Sequence, residues 1–382
     1  MYKTGRTGVF ILIMAAVLVL TGCSSSGVKN QPPTNNKIMD LPPMKDQFSA
    51  YFMLGNIFNP GDVDGTEVST PELTRHYNVL TAENSMKPYA LSRGKGSYNW
   101  STADSMVNSA RASGFKVVGH TLLWHSQNAS WMTGADANLN NMKEYVTDVV
   151  THFKGKIYSW DVLNEAFPDG GFSVGSDWKK VIRPENPWYK TIGPDFVYEG
   201  FLAARLADPG AILYYNDYNL DQVSKATMVR NLVRDVNAEY KKNFPNETRF
   251  LIEGIGMQSH HNTGVRTSSI KATLNMFKEL GVIISISELD ILGQGYGDFA
   301  KIGSGRDKDD RTTVTATGLQ IQAALYGEYM KLFIEYSDII ERVSFWGLTD
   351  DQSWRSAGVP LLFDSRGRAK DAYYKVIEAL NK

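Results

Sequence analysis

The sequence predicts an α/β fold in which eight parallel strands alternate with helices and close into a (β/α)8 TIM barrel. Short apolar runs alternate with amphipathic helical stretches from Tyr51 onward, and this pattern favours a parallel sheet. Eight such units favour closure of that sheet into a barrel. A doubly wound open sheet is the competing fold, but neither of the glycine-rich phosphate-binding motifs typical of it follows an early strand.

The predicted strands are short apolar runs bounded by polar and turn-forming residues. In chain order they are Phe52–Phe58, Val79–Ala82, Lys116–Trp124, Ile157–Asn164, Ala211–Asn216, Phe250–Gln258, Val282–Glu288 and Arg342–Leu348. The stretches between them have the apolar periodicity of helices, namely Ser101–Ala112, Asn140–Phe153, Phe196–Leu206, Lys225–Lys242, Ser268–Leu280 and Leu319–Tyr336. A last helix, Lys370–Leu380, follows the eighth strand.

The composition is that of a globular domain with almost no net charge. The 382 residues carry 40 Lys and Arg against 41 Asp and Glu, and 42% of them are hydrophobic. Binding to nucleic acid is therefore not expected, because it needs a strongly basic surface, and a neutral partner fits this balance at least as well. Trp side chains near polar strand ends would suit stacking on the flat faces of sugar rings.

The N-terminal residues have the pattern of an export signal. Lys3 and Arg6 precede the apolar run 9–20, which is shorter than the roughly 20 residues of a membrane-spanning helix. The segment Leu20–Cys23 (LTGC) resembles a bacterial lipobox, and Cys23 is the only cysteine of the chain. We expect cleavage before Cys23 and lipid on its thiol. An ordinary signal peptide with a chance cysteine is the alternative.

These signals divide the chain into three parts. Residues 1–22 are predicted to be a lipoprotein signal peptide, residues 23–43 a lipid-anchored flexible tether rich in Ser, Asn, Gln and Pro, and residues 44–382 the barrel. The predicted location is the cell envelope, with membrane attachment through Cys23. Ser24, rather than Asp, follows the cysteine, which in a Gram-negative cell indicates the outer membrane.

Polar residues cluster where the predicted strands end, and barrel enzymes build their active sites from those ends. Seven successive strand ends are rich in Asn, Gln, Glu, His and Trp, and burying so many polar groups without a ligand would cost stability. Two of these ends carry Glu165 and Glu288, and a facing pair of carboxylates is what cleavage of a glycosidic bond needs. For either glutamate alone, a structural salt bridge is the alternative.

Strand alternation adds a hypothesis about the second glutamate. Gln258 and His260 share one face of their segment, and Glu288 and Asp290 share one face of theirs. We therefore expect Asp290 to orient His260, and His260 to hydrogen-bond the Glu288 carboxylate and help to keep it ionised.

Seven segments together resemble glycoside hydrolase family 10, the endo-β-1,4-xylanases. They follow the order of that family and span the region from about Leu41 to Lys382. The segments are Thr81–Pro88 (TAENSMKP), Gly119–Gln127 (GHTLLWHSQ), Trp160–Ala166 (WDVLNEA), Tyr215–Asn219 (YNDYN), Gly256–His260 (GMQSH), Ile286–Ile291 (ISELDI) and Phe345–Asp350 (FWGLTD).

The resemblance implies endo-hydrolysis of β-1,4-xylosidic linkages in xylan and xylo-oligosaccharides by a retaining double displacement. It makes Glu165 the acid/base and Glu288 the nucleophile, with Asp290 in support. It implies no metal, no organic cofactor, and xylan or a xylo-oligosaccharide as the partner. From the near-zero net charge we expect no nucleic-acid partner, and we expect the protein to be a monomer. The substrate-binding residues that it implies are Glu83, Asn84, Lys87, His120, Trp124, Gln127, Asn164, Tyr218, Gln258, His260, Trp346 and Trp354.

Other functions stay open at this point. A related barrel glycanase would act on cellulose or mannan, and a lipid-anchored glycan-capture protein would not need both glutamates. A metal-dependent barrel hydrolase would need clustered ligands, yet His260 and His261 form the only adjacent histidine pair. The segments 170–190 and 293–313 look extended relative to the family pattern, and both are predicted to lie on the active face.

Overall fold

A closed barrel of eight parallel strands forms the centre of the protein. The computed structural model describes residues 36–294 and 314–381. Every strand pairs with its neighbour in chain order, and the last pairs with the first, so the predicted (β/α)8 fold is confirmed. The strands are β1 Met53–Phe58, β2 Val79–Ala82, β3 Lys116–Leu123, β4 Ser159–Asn164, β5 Ile212–Asp217, β6 Gly254–Met257, β7 Ile283–Leu292 and β8 Ile340–Phe345.

Helices alternate with these strands and pack their apolar faces on the barrel. They are α1 Met44–Gln47, α2 Pro71–His76, α3 Pro88–Leu91, α4 Ser101–Ala112, α5 Leu139–His152, α6 Pro187–Ile192, α7 Phe196–Ala207, α8 Val223–Asn243, α9 Thr267–Lys278, α10 Ala316–Glu335 and α11 Asp371–Glu378. A small hairpin, Ser92–Gly94 with Ser97–Tyr98, lies outside the barrel sheet. Within the two described ranges, no helix combines the length and the apolar character needed to cross a membrane.

Two strand boundaries differ from the predicted ones for the same reason. The sixth strand begins at Gly254 rather than Phe250, because the backbone N–H and C=O of Ile252 bond the side chain of Asn237 at 2.8 and 2.9 Å. At the end of β8, the N–H and C=O of Gly347 bond the side chain of Asn56 at 3.2 and 3.1 Å. In both places a side-chain amide takes the hydrogen bonds that a neighbouring strand would have made.

The seventh strand is longer than predicted and continues past Glu288 to Leu292. The extension is stabilised by a short strand, His260–Asn262, that runs parallel to it and sets His260 opposite Asp290. An apolar pattern along one strand does not contain this information, since the partner segment comes from a different part of the chain.

Residues 36–43 pack against the barrel, although they were predicted to belong to the tether. Ile38 and Leu41 are buried, and His76 Nε2 lies 2.9 Å from the carbonyl oxygen of Ile38. The Arg75 side chain donates to the Leu41 carbonyl at 2.9 Å. The predicted tether is therefore too long at its C-terminal end, because this segment has apolar side chains to bury. The predictions for residues 1–35, including the signal peptide and Cys23, lie outside the described residues, as does the segment 295–313.

Candidate active site

The two glutamates predicted from the sequence lie near the C-terminal ends of β4 and β7, two barrel strands that are separated by β5 and β6. Glu165 directly follows Asn164, the last residue of β4, and Glu288 lies within β7. Both occupy the end of the barrel at which enzymes of this fold bind their substrates.

The Glu288 carboxylate is buried and receives hydrogen bonds on both oxygens. Its Oε1 accepts from Asn216 Nδ2 at 2.8 Å, and its Oε2 lies 3.0 Å from His260 Nε2. On the far side of the imidazole, His260 Nδ1 lies 3.0 Å from Asp290 Oδ2. The expected chain of contacts from Asp290 through His260 to Glu288 is therefore present in the structure.

The charge of His260 follows from these neighbours. Burial by itself would lower the pKa of the imidazole, but the negative charge of Asp290 and the hydrogen bonds to Asp290 and Glu288 outweigh it and raise the pKa of His260 to about 9. At neutral pH the imidazole is therefore a cation that donates one N–H to each carboxylate. Arg355 Nη1 donates to Asp290 Oδ1 at 2.5 Å, and Trp354 Nε1 donates to Asp290 Oδ2 at 3.2 Å.

The Glu165 carboxylate has a different environment. Its Oε2 accepts from Trp124 Nε1 at 2.9 Å, and its Oε1 accepts from Gln258 Nε2 at 2.9 Å and from Asn164 Nδ2 at 3.3 Å. Its backbone is left-handed, with a φ of 55°. For a residue with a side chain such a conformation costs roughly 1–3 kcal/mol, and it is found mainly where surrounding contacts impose it, often at active sites.

A network of side-chain amides joins the two carboxylates. Asn164 Oδ1 accepts from Asn216 Nδ2 at 2.9 Å and from Gln258 Nε2 at 3.2 Å. The amide orientations follow from the Glu288 carboxylate: because its oxygens accept, Asn216 turns its Nδ2 towards Glu288 and Asn164, and its Oδ1 accepts from Ser287 Oγ at 2.6 Å. Asn164 must then present its oxygen to Asn216. The carboxylate of one strand is thereby linked to that of the other through two amides.

A charged cluster predicted from the second strand end lies beside the pair. Lys87 is buried, and its Nζ donates to Asn84 Oδ1 at 3.0 Å. Burial lowers the pKa of Lys87, while the charges of Glu288, Glu83 and Glu165 act in the opposite direction. The three acids therefore all lie near enough to affect this ammonium group.

Glu83 and the third strand end complete this side of the site. Asn59 Nδ2 donates to Glu83 Oε2 at 2.7 Å. His120 is buried, its Nδ1 lies 2.9 Å from Asp161 Oδ2, and its ring meets the edge of Trp346 at a centroid distance of 5.6 Å. These contacts fix the positions of Glu83 and His120, both of which are predicted to bind substrate.

Three predicted residues have other surroundings. Trp354 is 48% exposed, and its ring meets the edge of His260 at a centroid distance of 5.0 Å. Tyr218 contacts Arg183 through its hydroxyl group and lies under the Lys225 ammonium, 3.6 Å from the ring centroid. Gln127 is exposed in the loop after β3, where its carbonyl accepts from the Tyr89 backbone at 3.0 Å.

Asn216, Asp161, Arg183 and Arg355 each contact a predicted site residue, yet the prediction did not include them. The sequence carries a signal for Asn216, because this residue ends a predicted strand. The glycine at position 256 on the neighbouring strand leaves room for its side chain, since a Cβ there would lie 2.1 Å from Asn216 Oδ1. Asp161 had a weaker signal as an acid within an apolar strand. The two arginines lie in loops, where no periodic pattern indicates a role. Within residues 36–294 and 314–381, no cluster of three or more His, Cys, Asp or Glu is arranged to hold a metal ion.

Comparisons with known proteins agree with this geometry. The family model for glycosyl hydrolase family 10 matches residues 43–379. An endo-1,4-beta-xylanase of Geobacillus stearothermophilus is 35% identical over 353 residues, which cover 88% of this chain and 98% of that protein. Endo-1,4-beta-xylanase A of Thermotoga maritima is 34% identical over 364 residues that cover 88% of this chain, but the chain spans only 31% of that longer protein.

Solved structures give the same result. A GH10 xylanase from termite gut that contains a bacterial Ig-like domain has a TM-score of 0.86 and 55% identity, covering 90% of this chain and 78% of that one. A xylanase of Paenibacillus barcinonensis, complexed with a conduramine derivative, has a TM-score of 0.76 and 29% identity over 88% of this chain and 98% of its own. From the family match, these relatives and the closed barrel with its paired glutamates, the chain belongs to glycosyl hydrolase family 10.

Proposed function

We propose that the protein hydrolyses internal β-1,4-xylosidic linkages of xylan and xylo-oligosaccharides with retention of anomeric configuration. The observation that carries this proposal is the amide network that joins Glu165 and Glu288 through Asn164 and Asn216. It holds two carboxyl groups from different strands around one site, as a double displacement needs. The xylanases among the relatives support the choice of substrate.

In the first step Glu165, protonated, donates its proton to the glycosidic oxygen that leaves, while Glu288 attacks the anomeric carbon and forms a glycosyl ester. The proposal assigns nucleophilic attack to Glu288 because a cationic His260 and the Asn216 amide both donate to its carboxylate and hold it in one orientation. Glu165 suits proton transfer because its side chain is 13% exposed, against 6% for Glu288, and can exchange a proton with solvent.

In the second step water attacks the anomeric carbon of the ester, and Glu165 takes the proton of that water as Glu288 leaves. We assign Asn164 to the sugar 2-hydroxyl next to the nucleophile, because its amide lies between the two acids. Xylose rings on either side of the cleaved bond would contact the remaining predicted residues: Glu83, Asn84, Lys87, His120, Trp124, Gln127, Tyr218, Gln258, His260, Trp346 and Trp354.

Product stereochemistry tests the mechanism directly. Proton NMR of early xylo-oligosaccharide hydrolysis should show the β-anomer before mutarotation produces the α-anomer. Initial release of the α-anomer would overturn the double displacement, because inversion needs no covalent ester on Glu288. Release of mixed xylo-oligosaccharides from polymeric xylan would support internal cleavage, whereas xylose or xylobiose alone would contradict it.

A β-1,4-glucan is the second candidate substrate, because one relative is named exoglucanase XynX, from Acetivibrio thermocellus, with 33% identity over 366 residues that cover 30% of that protein. Rates of hydrolysis of aryl β-xylobioside and aryl β-cellobioside separate the two. A kcat/KM that is higher for the cellobioside would replace xylan by glucan in the proposal.

The proposal for the envelope is that lipid on Cys23 anchors a monomeric enzyme to a membrane, the outer membrane in a Gram-negative cell. Its support is the sequence alone, through the lipobox-like Leu20–Cys23. The full-length protein should partition into detergent, and the Cys23→Ala variant should not. Equal partitioning of the two into the aqueous phase would overturn the anchor.

A further inference from the structure

The backbone N–H and C=O groups of the predicted acid/base, Glu165, and of the next residue, Ala166, all form hydrogen bonds. The N–H of Glu165 donates to the carbonyl of Asn216 at 2.8 Å, and Arg183 Nε donates to the Glu165 carbonyl at 3.1 Å. The N–H of Ala166 donates to the Tyr215 hydroxyl at 3.2 Å, and its carbonyl accepts from the Arg183 backbone at 2.8 Å. The left-handed backbone of Glu165 is thus fixed from both sides.

The Tyr215 hydroxyl is itself fixed by a buried ion pair. It donates to Asp217 Oδ2 at 2.6 Å, and Asp217 Oδ1 lies 2.8 Å from Lys225 Nζ. All three side chains are buried. Since the phenol has one proton and gives it to Asp217, only a lone pair is left for Ala166. Burial raises the pKa of Tyr215 well above its usual value, so it stays neutral.

The constrained backbone of Glu165 determines the direction in which its carboxyl group points. A non-glycine residue at a φ of 55° would relax if its neighbours released it. A change in the backbone angles of Glu165 would reorient its Cα–Cβ bond, and the carboxyl group would then move away from the glycosidic oxygen. Proton donation depends steeply on such alignment.

We propose that Tyr215, supported by Asp217 and Lys225, is a positioning residue that directs the Glu165 carboxyl for proton donation to the leaving group. This inference rests on the acid/base role of Glu165 in the proposed function. Tyr215 lies on the outward side of β5, so in this proposal it contributes to catalysis without contacting the substrate.

The neighbouring residue provides a matched control. Tyr214 is also fully buried on β5, and its hydroxyl donates to a carboxylate, Glu341 Oε2, at the same distance of 2.6 Å. Alternation along the strand turns it to the opposite face. Tyr214→Phe and Tyr215→Phe each remove one buried phenol–carboxylate hydrogen bond, but only the second removes the acceptor for Ala166.

The test compares kcat/KM for xylotetraose, whose leaving group needs an acid, with kcat/KM for 2,4-dinitrophenyl β-xylobioside, whose leaving group does not. Tyr215→Phe should lower the first about 10- to 100-fold and change the second by about threefold or less. Tyr214→Phe should lower the thermal unfolding midpoint by a similar amount and leave the ratio of the two values as in wild type.

Equal losses on both substrates in Tyr215→Phe, or the same selective loss in Tyr214→Phe, would overturn the positioning role. A wild-type enzyme that cleaves neither substrate would instead overturn the proposed function itself. If Tyr215→Phe does not fold, Asp217→Asn replaces it, since the amide lacks the carboxylate charge that holds the Tyr215 hydroxyl and Lys225 in place. Its loss should again fall on xylotetraose, and an equal loss on both substrates contradicts the proposal.

Discussion

The two glutamates proposed as catalytic are held in different ways. Glu288 lies within β7 and is buried, and hydrogen bonds with the side chains of Asn216 and His260 fix its carboxylate. Glu165 follows the end of its strand in a left-handed conformation, and contacts to the backbone add to those of its side chain: Arg183 donates to the Glu165 carbonyl, and Tyr215 accepts from the N–H of Ala166. In the proposed double displacement the nucleophile must be aimed at the anomeric carbon, which two buried donors do for Glu288, whereas the acid/base must exchange a proton and so needs a fixed direction with access to solvent.

Replacement of the proposed nucleophile tests this comparison with the largest effect. Glu288→Ala should reduce hydrolysis of xylan by a factor on the order of 10⁴ or more, since no covalent ester can form. Xylan binding and the folded structure should be largely retained, because neighbouring strands hold the site. Reducing-sugar release and binding to xylan check both statements, and turnover near the wild-type rate would mean that another group is the nucleophile.

Removal of the proposed acid should lower the rate more for substrates with poor leaving groups than for substrates with good ones. Glu165→Ala should lower kcat/KM for unactivated xylo-oligosaccharides by about 10²–10⁴-fold, while activated aryl xylosides lose far less at the first step. Added azide should accelerate the second step of the variant by replacing base-assisted water. If both kinds of substrate lose activity equally, Glu165 does not act as an acid.

The cationic His260 should make stability depend on pH. Its pKa is raised from 6.5 in the unfolded chain to about 9 in the folded protein, so its contribution is present in full below about pH 6.5 and is lost as the pH rises through about 9. The difference corresponds to on the order of 3 kcal/mol in the free energy of unfolding. Urea unfolding of wild type and His260→Gln between pH 6 and pH 10 measures it, and parallel stability curves would contradict the assignment.

Asn216 contacts both Glu288 and Asn164, the neighbour of Glu165, so its removal should affect activated and unactivated substrates alike. Asn216→Ala deletes one donor to Glu288 and one to Asn164. The expected loss in kcat/KM is about tenfold on activated and unactivated substrates alike, near the value of one hydrogen bond to a charged group. A loss confined to substrates with poor leaving groups would place Asn216 with the acid instead.

Much of this site could be predicted from the sequence because it lies at strand ends. A strand has a period of two and ends at a turn, so Gln258, His260, Glu288 and Asp290 could be grouped before any contact between them was known. The strand boundaries at Ile252 and Gly347 could not be predicted, since Asn237 and Asn56 replace a strand partner there from distant positions in the chain.

The sequence by itself determined the barrel, the strand ends that form its active face and the two glutamates, because hydrophobic periodicity and residue type are local properties. Tertiary structure alone decided which groups meet: the pairing of His260 with Asp290, the amide link through Asn216, and the support of Glu165 by Tyr215 and Arg183. Those contacts join residues that barrel closure brings together from different strands and loops. Their charge and direction depend on burial and distance, which no linear pattern records.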